Sequence, residues 1–156
     1  MFLGALNSVA SFNGDSLTAE ARNTLEGALR YFREAAPKHT ADEEDSLFPR
    51  MRSMSDENVQ AALSRIDELE KDHRSADPLH AEVEQLGQKW LKDGALTSDD
   101  AAAFRAAIER LVQMYSRHIQ VEETAVFPAA AKALSATQKA EIAKEMASRR
   151  AVQIRT

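Results

Sequence analysis

Apolar residues return every three or four positions along most of this chain, the pattern of helices that bury one face. Leu3, Leu6, Val9 and Ala10 form such a stripe over about residues 2–11, and Asn13 with Gly14 ends it. A second helix is expected over about residues 18–48, capped by Ser16 or Thr18 and striped by Leu25, Leu29, Phe32 and Ala36. Pro37 predicts a kink inside it, and Pro49 predicts its end. About residues 50–55 read as a short connection, with Ser53 or Ser55 capping a third helix over about residues 56–92. That helix carries Val59, Leu63, Ile66 and Leu69, then Leu79, Val83, Leu86 and Trp90; Pro78 predicts a kink, and Asp93 with Gly94 closes it. A fourth helix over about residues 98–130 opens on Thr97 with Asp100 and presents Phe104, Ile108, Leu111, Met114 and Tyr115; Pro128 ends or bends it. Ser135 and Gln138 form a capping box for a fifth, anchored by Ile142 and Met146. No alternating run rich in β-branched residues predicts a strand. The expected fold class is therefore all-α: an up-down-up-down four-helix bundle with a shortened first helix and an additional C-terminal helix. No linker long enough to separate domains occurs, so residues 1–156 are expected to form a single domain.

Composition narrows the chemistry. The chain has no cysteine, which excludes disulfide scaffolds, thiolate metal sites and cysteine nucleophiles. Its net charge is −5, from 20 basic and 25 acidic residues, and no interior run of Arg or Lys marks a nucleic-acid surface. The Arg149 and Arg150 pair is too small to change that. No apolar stretch approaches the roughly 20 residues that span a bilayer, and the apolar start lacks a basic leader region. No membrane partner is expected, and a cytoplasmic location is the default. No phosphate loop, nucleotide fingerprint or nucleophilic triad is visible, so no catalytic residues are assigned.

One pattern occurs twice. Residues 39–49 read HTADEEDSLFP and residues 118–128 read HIQVEETAVFP, sharing H-x-x-x-E-E-x-x-x-F-P. On a helix, residues four apart share a face, so His39 with Glu43, and His118 with Glu122, can each aim at one centre. A lone pair of this kind is usually a solvated or ion-paired face; two copies with the same Phe-Pro tail point to a metal site. The Phe-Pro tail itself is expected to be structural, the ring packing the bundle end and the proline terminating the helix. The third helix adds His73 and His80. Their spacing covers about 10 Å of axis, too far for one ion but suited to two; Asp77, four after His73, competes for the role. Imidazole and carboxylate donors without sulfur favour iron or manganese, with zinc as the competing ion. Glu43 and Glu122 are expected to bridge two metals, leaving a position open to water, dioxygen or another small ligand. Tyr115, three before His118, reads as core or as a hydrogen-bonding neighbour of the site. Glu44 and Glu123 point away and read as surface or supporting groups.

At these residues, with EKDH at 70–73 between the two copies, the sequence resembles the hemerythrin-like, or HHE cation-binding, family. The resemblance covers about residues 31–128. It implies a four-helix bundle around a non-haem centre of two iron ions, and roles in binding dioxygen, sensing oxygen or nitric oxide, or handling iron. The positions that match the family's ligands are His39, Glu43, His73, His118 and Glu122. The family's usual histidine on the first helix has no counterpart here. One expectation is that the chain begins inside the natural first helix, with the missing ligand just before Met1; the other is that His80 fills the vacancy. An underloaded, one-metal or empty site follows as a set of alternatives. The leading expectation is a di-iron protein that binds or senses dioxygen or nitric oxide. The alternatives are a di-iron oxidase or peroxide-consuming enzyme, and an iron-handling or structural helical module. Exposed faces of the third to fifth helices, and any groove left by the short first helix, offer a surface for a homodimer.

Overall fold

The computed structural model describes residues 2–151. Its elements in chain order are α1 (Phe2–Ala10), α2 (Ala19–Glu34), α3 (Ala36–Ala41), a π-helical segment (Asp42–Leu47), α4 (Phe48–Arg52), α5 (Glu57–Asp93), α6 (Ser98–Val121), a second π-helical segment (Glu122–Val126), α7 (Phe127–Ala133) and α8 (Ala136–Ala151). The fold is all-α, of the four-helix-bundle class, with a short first helix and an additional C-terminal helix. No described helix is long and apolar enough to cross a membrane. The ligand expected before Met1 lies outside the described residues.

The chain divides into two compact units. The first comprises the residues up to Ala35 with Asp72–Arg117; the second comprises Ala36–Lys71 with the residues from His118 onward. In the first unit α1 packs on α2, burying Leu6 and Val9 with Leu25 and Leu29. Thr18 is the cap of α2, its hydroxyl accepting from the Ala21 amide at 3.1 Å. Trp90 meets Phe12 and Phe104 edge-on, and its indole N–H donates to Asp15 O at 3.0 Å. Gly14 holds φ +86°, and a Cβ there would lie 2.5 Å from Ala101 Cβ, so only glycine suits the turn.

In the second unit Phe48, Met51, Val59, Ile66, Leu69 and Val126 form the centre of an apolar cluster. The cap of α5 is Asp56 rather than Ser53 or Ser55: its Oδ1 accepts from the amides of Asn58 at 2.9 Å and Val59 at 3.1 Å. α5 continues through Pro78. Ser135 and Gln138 do form the reciprocal box that starts α8.

Pro49 and Pro128 correct the expectation that they terminate helices. Each is the second residue of a helix, α4 or α7, that continues beyond it. A proline inside an α-helix lacks its N–H, and its ring collides with the carbonyl four residues back. Here a wider turn precedes each ring: the Phe48 amide bonds Glu43 O, and the Phe127 amide bonds Glu122 O, five residues back in both cases. The widened turn lets the chain stay helical past the proline.

Candidate metal centre

The doubled motif meets in the second unit. His39 lies on α3 and Glu43 in the first π segment; His118 lies in the last turn of α6 and Glu122 begins the second π segment. His39 Nε2 stands 3.2 Å from Glu43 Oε1, and His118 Nε2 stands 2.9 Å from Glu122 Oε1. Donor atoms of His39, Glu43 and Glu122 all lie within 4.8 Å of one another. Glu43, His118 and Glu122 are buried, whereas the His39 side chain is 49% exposed. The site thus has three interior donors and one at its rim. Both glutamates sit where the helix widens, and such irregular turns recur at functional sites because they re-aim side chains.

Two carboxyl groups buried side by side impose an electrostatic cost. Burial raises the Glu122 pKa; the His118 imidazole opposes that, and the neighbouring Glu43 carboxyl adds to the rise. The hydrogen bond that His39 donates to Glu43 raises the His39 pKa, against the lowering effect of its partial burial. A cation between the carboxylates would relieve their repulsion, and two imidazoles with two carboxylates and no sulfur suit iron or manganese. The residues present therefore fit a metal ion.

The remaining candidates are placed as follows. His73 is buried on α5 and belongs to the first unit. His80, also in that unit, is half-buried; its Nε2 is 3.1 Å from the Tyr115 hydroxyl and its ring centroid 5.5 Å from that of Phe32. Burial lowers the His80 pKa, with a smaller opposing effect from Asp77. Tyr115 is buried, so it is both a core residue and a hydrogen-bonding one. Asp77 and Glu123 are exposed and Glu44 is half-buried. Of the two motif phenylalanines, Phe48 is fully buried but Phe127 is 37% exposed, which corrects the expectation that both rings pack.

Sequence reasoning missed a second layer beside the first motif copy. Asp42 and Ser46 are buried and bind Glu145, Arg149 and Arg150 of α8, joined by Arg50 of α4. One signal was available: Ile142 and Met146 are too few to dock a helix of that length by apolar burial. Basic residues at its end then call for acidic partners.

An all-helical chain with imidazole–carboxylate pairs on widened turns defines a class, the helical cation-binding proteins. The particular family is shown by comparison: this chain belongs to the hemerythrin HHE cation-binding domain family, whose pattern matches residues 2–130. It is also similar to an uncharacterized protein of Haemophilus influenzae, 33% identical over 139 residues that cover 86% of this chain and 73% of that protein. Among residues 1–156 the set of ligands is incomplete relative to the family pattern, whose first-helix histidine has no counterpart there.

Proposed function

We propose that this protein binds iron through His39, Glu43, His118 and Glu122, and that the bound metal takes up or senses dioxygen or a related small ligand such as nitric oxide. The observation that carries the reading is the burial of Glu43 and Glu122 against each other, each with its own imidazole at hydrogen-bonding distance. Manganese or zinc fits the same donors less specifically. His73, which is buried, enters the ligand set from the sequence pattern. His80 enters it in the same way, as a ligand or as a hydrogen-bonding neighbour through Tyr115. Two ions per chain are proposed on the family's precedent.

When bound, iron supplies the redox chemistry and the affinity for dioxygen. The chain's own residues do the rest. Glu43 and Glu122 hold the cation in the interior, and His118 orients Glu122. Burial limits water around three of the four donors, while His39 leaves the rim accessible. That exposure favours a second reading, in which the site exchanges its metal and serves iron handling.

The test is anaerobic loading with ferrous iron, followed by metal analysis and absorption spectra before and after dioxygen. The expected result is stoichiometric iron, up to two ions per chain, with an oxygen-dependent spectral change that reverses on removing the gas. Loss of iron on desalting would support the handling role. Absence of stoichiometric iron in freshly loaded protein would remove both readings.

A further inference from the structure

We propose that α8 is a clamp on the first π segment, and that Asp42 and Ser46 are positioning residues for Glu43. α8 buries none of its described residues. Ile142 is only partly buried against the apolar cluster. What holds the helix is polar. Asp42, 5% exposed, accepts from Arg149 Nη1 at 2.9 Å and from Arg150 Nη2 at 2.7 Å. Ser46, fully buried, donates to Glu145 and accepts from Arg149 Nη2 at 2.7 Å. Arg50 closes the array, with Nη2 2.7 Å from Glu145 Oε1 and Nη1 2.9 Å from Ser46 O.

Asp42 and Ser46 lie one residue before and three after Glu43, in the same widened turn. π-helical turns are rare in isolation and persist where surrounding contacts fix them. In the second copy the matched positions are Val121 and Ala125, which carry no polar group to tie. The family pattern stops at residue 130, before α8 begins, so the clamp lies outside the matched domain. Side chains around first ligands orient them and tune metal affinity. Here that support is supplied by an added helix, to one motif copy only.

The clamp's primary readout needs no metal; its second readout rests on the proposed metal role. Backbone amide exchange is measured on the full-length, metal-free chain, comparing residues 42–48 with residues 122–127. In Arg149→Ala/Arg150→Ala the first set should exchange about tenfold faster or more, with the second set unchanged. Arg149→Lys/Arg150→Lys should restore part of the protection. Wild-type protein in 1 M NaCl should move partway toward the alanine variant, because the Arg150 side chain is 47% exposed and its contact is partly screened. Affinity for manganese(II), titrated alone, should fall about tenfold in the alanine variant, the lower end of what supporting-residue changes cost. Unchanged exchange at residues 42–48 would overturn the clamp, as would an equal rise in both sets. If wild-type protein binds neither manganese nor iron, the metal reading fails while the exchange comparison still decides the clamp.

Discussion

The two copies of H-x-x-x-E-E-x-x-x-F-P share five residue identities and a π-helical turn, yet they treat their histidine and phenylalanine in opposite ways. His39 is exposed and Phe48 buried; His118 is buried and Phe127 exposed. Only the first glutamate of each pair, Glu43 or Glu122, is buried in both. The difference lies in what surrounds the shared letters. After the first widened turn, Phe48 itself enters the apolar cluster beside Met51. At the end of the second, Val126 occupies the buried place, and the next residue, Phe127, is turned outward by about 100° of helix. The repeated pattern therefore specifies the carboxylates and the turn that aims them. It does not specify how either helix is seated.

The largest effect should separate the two rings. Phe48→Ala removes a fully buried aromatic and is expected to cost about 3–5 kcal/mol in urea unfolding. Phe127→Ala should cost under about 1 kcal/mol, the range of exposed positions. Equal losses would erase the contrast between the copies.

The histidines should divide in the other direction and by a smaller amount. His118→Ala leaves the buried Glu122 without the imidazole 2.9 Å away, so it should cost about 1–3 kcal/mol as well as metal affinity. His39→Ala breaks a rim contact, expected to weaken metal binding with a stability change below about 1 kcal/mol. Thermal unfolding of the metal-free variants, paired with iron titration of each, checks both halves. A His39→Ala chain that unfolds as readily as His118→Ala would show that the rim histidine is not at the rim.

Much of this was legible in the sequence. The stripes through Leu25, Leu29 and Phe32, and through Phe104, Ile108 and Leu111, gave the helices because apolar spacing is local information. The pairing of His39 with Glu43 and of His118 with Glu122 was legible for the same reason, since four residues make one turn. Pro49 and Pro128 were misread because proline's usual effect assumes a regular α-turn before it. A π turn is chosen by tertiary contacts, which no window of sequence contains. Ser53, Ser55 and Asp56 are all residues of capping type, so local sequence does not single out Asp56. The link from Asp42 to Arg150 joins residues 108 apart. Nothing in the chain pairs such distant charges until the fold is known. Phe127 carries the same lesson, because an identical Phe-Pro tail met different neighbours.

The smallest test touches one carboxylate that the second copy lacks. Arg50, and after it Ser46, hold the Glu145 pKa down at about 2, against an ordinary 4.5. A carboxylate depressed in the folded chain contributes its stabilisation above its ordinary pKa and loses it as pH falls through the folded value. The contribution of Glu145 to α8 docking should therefore be complete above about pH 4.5 and fade toward pH 2. Carbon-detected NMR of the glutamate carboxyls should show one midpoint near 2 in the wild-type chain. In Arg50→Gln that midpoint should climb back toward 4.5, because the first-ranked cause of the shift has been removed. Amide protection at residues 42–48, taken relative to the intrinsic exchange rate at each pH, should fall over the same acid range before that of residues 122–127. A wild-type midpoint near 4.5 would mean that Glu145 spends its time in solvent. Support of the first copy would then rest on Arg149 and Arg150 at Asp42 and on Arg149 at Ser46, without the Glu145 and Arg50 part of the array.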